Sequence, residues 1–176
     1  MESIKKKTLL KAKVLEQTLS YARTESGVGG GAGGDDNESV ATAIVNLALK
    51  SGEYFHTTDG DGYATIEIKG HKETWSIRNR VFRGWLTKLY YDDTASAPSS
   101  EALGAASNVL EAKARFDGLE IPVFLRVGKH GKKIYLDICD ANWRAIEIDA
   151  DGWRVVDNPP IKFRRNSGML PLPVPQ

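Results

Sequence analysis

Between Tyr54 and Leu86 the chain reads YFHTTDGDGYATIEIKGHKETWSIRNRVFRGWL, and the spacing of its apolar residues changes within that short span. Residues 54–57 and 63–69 are strand-like. They are joined through Asp59-Gly60-Asp61-Gly62, a strong turn signal because glycine takes a positive φ without steric cost. Gly70-His71 makes a second turn into a strand over 73–77. After Asn79 the period becomes helical: Val81, Phe82, Trp85, Leu86 and Leu89 fill one arc, while Arg80, Arg83, Thr87 and Tyr91 gather opposite. A hairpin running directly into an amphipathic helix must bury one face of each against the other. What it leaves outside is cationic, and that suits a polyanion.

The flanking sequence completes an α+β reading. Residues 3–23 have helical spacing, with Leu9, Leu10, Val14 and Leu15 near one face and Lys6, Lys7, Lys11 and Lys13 largely off it. The next stretch, TESGVGGGAGGDD, places six glycines in thirteen residues and reads as a flexible linker over 24–36. The domain proper is expected over 37–167. Asp36, Asn37 and Ser39 offer caps to a helix over 40–50, with Val40, Ile44, Leu47 and Leu49 apolar and Gly52 as its stop. Ser99 or Ser100 caps a further helix over 101–116. Strands are expected over 121–127, 134–138, 145–148 and 153–156, a spacing with Gly-bearing turns that predicts an antiparallel meander. DGDGY and DADGW read as two uses of one hairpin device, an aromatic after the turn covering the sheet. The tail, 168–176, has prolines at alternate positions and is expected to be extended and outside the ladder. The fold expected is therefore antiparallel hairpins and a meander packed with about three helices, preceded by a basic helix on a glycine-rich linker.

Composition matters through its distribution. The 176 residues carry a formal net charge of only +1, yet residues 35–67 hold seven acids against Lys50 alone. Arg126, Lys129, Lys132 and Lys133 fall in an eight-residue window without an acid, and Lys162, Arg164 and Arg165 form another cluster. Lys72, Arg78, Arg80, Arg83 and Lys88 surround the strand-to-helix junction. These sites suit phosphates, because long cations beside a turn can straddle a nucleic-acid backbone. The candidate binding residues are thus Lys72, Arg78, Arg80, Arg83, Lys88, Arg126, Lys129, Lys132, Lys133, Arg164 and Arg165. Trp75, Trp85, Tyr90 and Tyr91 are adjacent. The competing reading makes Trp85 core and the cations an ordinary solvated face. No apolar run can span a bilayer, the N-terminus lacks the continuous apolar core of a signal peptide, and Cys139 is the sole cysteine, so a cytoplasmic location without membrane contact is expected.

No catalytic pattern in the sequence is complete. Asp59 and Asp61 begin like a calcium loop, but the later acidic ligands are missing and Ile66 and Ile68 continue a strand. His56, His71 and His130 lie near turns or strand ends without metalloprotease spacing. Glu147 and Asp149 share a strand face, and Asp137 and Asp140 lie three apart, which leaves a metal-dependent nuclease or nucleotidyl enzyme as the least favoured alternative. No Gly-rich loop ends in Lys-Ser or Lys-Thr, the pattern a P-loop ATPase needs. No catalytic residue, metal or cofactor is assigned.

Three segments, FHTTDGDGYATI, GHKETWSIRNRVFRGWL and DGWRVVDNPPIKFRRNSGMLPLPVP, occur in that order, and residues 39–175 resemble a region of bacterial phage and mobile-element replication proteins. There it precedes a helicase-like P-loop ATPase, often in one polypeptide with a primase-polymerase. The resemblance implies a replication setting, with DNA rather than RNA as the nucleic acid and a helicase-like ATPase or a primase as possible protein partner. It implies further that ATP and polymerising sites lie in another protein, this chain being a free-standing module or a fragment. The expected role is a non-catalytic nucleic-acid-binding accessory module. The alternative is a scaffold on which exposed aromatics and the proline tail dock a separate ATPase.

Overall fold

The computed structural model describes residues 38–174, so the lysine-rich helix expected over 1–23 and the linker over 24–36 lie outside the described residues. Ser39 starts the first helix, α1 (Val40–Ser51), its hydroxyl accepting from the Thr42 N–H at 3.2 Å. The helix buries Ile44, Val45 and Ala48, whereas Val40 and Leu49, both expected on the apolar face, are exposed. Gly52 does not end it with a left-handed turn. It passes straight into strand β1 (Gly52–His56) at an extended φ of −154°, and a Cβ there would come within 3.2 Å of Ile66 Cγ2.

Strand β1 pairs antiparallel with β2 (Gly62–Ile68), and β2 with β3 (His71–Ser76). Helix α2 (Arg80–Thr94), capped by Asn79, and helix α3 (Ser100–Phe116), capped by Ser99, follow. Alternation along β2 sends Ala64 and Ile66 toward the helices, where they meet Ile44 and Ala48 of α1, Phe82 and Leu86 of α2, and Ala106 and Leu110 of α3. Trp85 packs against this cluster, while Val81, expected in the apolar arc, is exposed.

The single strand expected over 121–127 is broken up: within it only residues 123–124 and 127 lie in strands, and a separate short strand precedes it at 119–120. Pro122 carries no N–H to donate, so the ladder cannot continue through it. Strand β4 (Leu119–Glu120) joins the first sheet parallel to β1, giving the order β3-β2-β1-β4. After the proline, β5 (Val123–Phe124) pairs parallel with a late strand, β10 (Lys162–Phe163). Then β6 (Val127–His130), β7 (Lys133–Asp137), β8 (Ala145–Asp149) and β9 (Gly152–Val156) form the expected antiparallel meander. The turn expected across GKHGKK is only Gly131-Lys132, with Gly131 at φ 61° and Lys129 and His130 inside β6. The two aspartate-glycine turns also differ. The first three residues of DGDG lie in a loop from Thr57 to Asp61, Gly62 opens β2 and Tyr63 beyond it is buried, but DADG is a tight turn in which Asp149 Oδ1 accepts from the Asp151 N–H at 3.0 Å, and Trp153 is exposed.

The fold is α+β, with three helices among the described residues. A second, smaller core forms where Tyr135 and Ala145 meet Ile161 and Phe163. Residues 168–174 of the proline tail stay outside the ladders, yet they are tied down: the Leu172 N–H donates to the Ile138 carbonyl at 2.8 Å, and Arg126 holds the Leu170 carbonyl at 3.1 Å.

Candidate nucleic-acid interface

The first sheet covers its helices with one face, and the other face makes the site. Phe55, Tyr63, Thr65 and Thr74 point to this second side, with the Tyr63 ring stacked on Phe55 and the two threonine hydroxyls 3.1 Å apart. The late segment from Asp157 to Asn166 crosses it. Lys162 Nζ bonds Glu53 at 2.6 Å, and Arg164 Nη1 reaches the Tyr63 hydroxyl at 3.4 Å.

Three neighbouring cavities lie along this crossing. One, of about 310 Å³, is lined by Trp75, Asn79, Arg80, Arg165 and Asn166. A second, of about 120 Å³, shares most of these residues and adds Arg164, Tyr63 and Thr74. A third, of about 290 Å³, includes Thr74 again with Lys72 and Trp143. Arg80 opens α2, whose first turn contains no acid, so the positive end of the helix backbone adds to its charge. The arrangement offers an anion three cations, several amides and hydroxyls, and aromatic edges.

The eleven nominated cations divide clearly. Arg165 is turned inward: its guanidinium donates to both oxygens of buried Asp137, at 2.9 and 2.6 Å, and to the Asp140 carbonyl, and lies 4.2 Å from the Trp143 ring centre. Arg126 bonds the Asp137 and Leu170 carbonyls, Arg78 is paired with Glu111, Lys88 with Asp92, and Lys133 with Glu147. Arg83 donates to the Ser100 carbonyl at 3.2 Å. Among the described residues, Lys72, Arg80, Arg83, Lys129, Lys132 and Arg164 meet no carboxylate. Lys72, Arg80 and Arg164 each line a different one of the three cavities, and Lys129 and Lys132 stand at the β6–β7 hairpin.

Of the carboxylates weighed as metal ligands, Asp137, Asp140, Glu147 and Asp149 are engaged by cations. Glu147 accepts from Lys133 at 2.8 Å, from the Tyr135 hydroxyl at 2.6 Å and from Arg154 at 2.6 Å. Lys133 first, then Tyr135 and Arg154, hold its carboxyl down at about 2, against a smaller opposing effect of burial. Burial and the bond to Glu147 push Tyr135 up to about 12. The Asp151 N–H and Arg154 keep Asp149 below the usual range. At Asp140, burial works upward but is overcome by bonds from the Arg144 backbone and side chain. No set of three His, Cys, Asp or Glu side chains converges as a metal site among the described residues. His71 and Trp75 both bond Glu73, at 2.8 and 2.7 Å.

Sequence reasoning missed Tyr63, Asn79, Trp143 and Asn166 as lining residues. The run NPPIKFRRN gave a usable signal for the last, since two prolines next to a cationic cluster impose an extended segment that must lie across something. Trp143, in the loop before β8, had none. Comparison with family models, with curated proteins and with solved structures found no match. No helix among the described residues is long and apolar enough to cross a membrane.

Proposed function

We propose that this chain is a non-catalytic nucleic-acid-binding accessory module of a phage or mobile-element DNA replication system, engaging DNA rather than RNA beside a primase or helicase. The observation that carries the binding role is the placement of Arg80, Arg164 and Lys72, without carboxylate partners among the described residues, each lining one of three neighbouring cavities that share wall residues in turn. Arg83, Lys129 and Lys132 extend the reachable positive surface. Selectivity for base sequence is not expected, because phosphate contacts fix position without reading bases. The replication setting rests on the three resembling segments.

The test is fluorescence anisotropy of labelled single- and double-stranded DNA across a salt series. Affinity should fall steeply with salt, by a slope of about 0.7 to 0.9 for each phosphate neutralised. Combined reversal of Arg80, Arg83, Arg164 and Lys132 to Glu should abolish binding. Absence of binding at low salt overturns the proposal.

A second reading, a scaffold that docks a separately encoded ATPase, is favoured by the outer face of the meander. There Val127, Ile134, Ile148 and Trp153 are 56, 45, 38 and 49% exposed, with Lys129 opposite Ile134 as the charged residue on the same face of β6. An apolar sheet face open to solvent is unusual unless something covers it. Recovery of an ATPase by the tagged chain from nuclease-treated host lysate supports the scaffold, provided that Ile148→Glu loses it. Recovery that vanishes with nuclease counts against it.

A further inference from the structure

Resting on the DNA-binding reading above, we propose that the third cavity is a base-binding subsite for single-stranded DNA, in which an unstacked nucleobase lies against Trp143 while Lys72 holds the adjoining phosphate. The cavity, about 290 Å³, is lined by an indole, by Lys72 and the Glu53-paired Lys162, by the threonine pair Thr65 and Thr74, and by Asp157 and Asn158. That mixture fits a nucleotide better than a bare phosphate, for which an aromatic wall and a carboxylate serve no purpose.

Trp143 is held before any ligand arrives. Its φ of 56° lies in the left-handed region, an outlier for so bulky a residue, and such strain persists only where the surroundings impose it. Here the Trp143 N–H donates to the Asp140 carbonyl at 3.3 Å, the Arg165 guanidinium sits 4.2 Å from the ring centre, and Trp75 meets the ring edge-on with centres 5.4 Å apart. Arg165 is itself fixed by Asp137. A ring already ordered adds little entropic cost when a base stacks on it.

The polar groups give the subsite a direction. Asp157 repels phosphate and accepts from base N–H groups, and Asn158 can both donate and accept. Exposed Lys72, without a carboxylate partner among the described residues, takes the phosphate. Only a base freed from its duplex neighbours presents a face to an aromatic ring, so the ligand is a single strand.

The test uses the full chain and fluorescence anisotropy with three probes: a labelled single strand of about 12 nucleotides, a strand of equal length made abasic throughout, and the matched duplex. The intact strand should bind about tenfold more tightly than either of the others. Trp143→Leu should bring intact and abasic strands to equal affinity, and Asn158→Ala, in a surface segment, should narrow the gap if the first variant fails to fold. Lys72→Gln should weaken both single strands together and lower the salt slope by about one. Equal, salt-dependent binding of intact and abasic strands, or preference for the duplex, overturns the base subsite and leaves phosphate binding standing. No binding of any probe at low salt overturns both.

Discussion

Asp137 is 1% exposed on strand β7, and its charge is met by Arg165, with the Cys139 N–H as a further donor at 2.9 Å. Removing one partner of such a pair leaves the other ionised and unpaired, so Asp137→Ala should lower the free energy of unfolding by about 3–5 kcal/mol. Equilibrium denaturation reads this directly, and a loss below 1 kcal/mol would show that water replaces the aspartate. Tyr54 is the opposite case. Its hydroxyl is buried and finds no partner among the described residues, and burial raises its pKa. Since an unmet buried hydroxyl opposes folding, Tyr54→Phe should leave stability unchanged or raise it by up to about 1 kcal/mol. Glu147 links structure to pH. Its carboxyl, ordinarily near 4.5, titrates at about 2 in the folded chain, so its stabilising contribution is present above 4.5 and is lost as pH falls through 2. Glu147→Gln should be less stable at neutral pH and should show a flatter melting temperature through that acid window. Identical pH profiles for the two proteins would contradict the ion network.

Elements were legible where a local rule decides them. Ser39 and Ser99 cap their helices because their hydroxyls accept from N–H groups three residues on, and the period change after Gly52 marks the hairpin that follows. The meander was readable from its turn spacing. What escaped was everything fixed by contacts distant in sequence: the parallel pairings of β4 with β1 and β5 with β10, the Arg165–Asp137 pair, and Trp143 beside the site. Cations on one helix or hairpin were easy to group, but which of them retain free charge depends on acids elsewhere, such as Glu111 for Arg78 and Glu147 for Lys133. Even so, one signal for Asp137 was present, because an acid in phase with Tyr135 on a strand must be buried with it and needs a cation. Gly128 shows how tightly β6 meets the second core. A Cβ there would lie 2.5 Å from Ile161 Cδ1 and 2.7 Å from the Phe124 ring. Gly128→Ala should therefore cost about 1–3 kcal/mol by overpacking, although alanine suits a strand better than glycine. A stabilised variant would mean that the Phe124 ring has room to move.

On the scale of the whole molecule, the two cores share a boundary. The helical core lies on one side of the first sheet, and Phe55 and Tyr63 on the other side are covered by the segment that also supplies Ile161 and Phe163 to the second core. Arg165 then fastens that segment to β7, and Arg126 fastens the tail to the same region. Disrupting the second core therefore strips a face of the first sheet, and neither core keeps its burial alone. The described chain should unfold in one cooperative step, with near-ultraviolet signals from the tryptophans and far-ultraviolet signals from the backbone changing together. Two of its four tryptophans, Trp75 and Trp85, pack on the helical core, while Trp143 and Trp153 lie beyond it, so the near-ultraviolet probe samples both regions. Arg165→Ala removes the fastening without touching either core, and it should separate the two signals into an early loss around Trp143 and a later loss of helix. Coincident transitions in that variant would show that apolar contact between the layers, rather than the buried guanidinium, makes the molecule one unit.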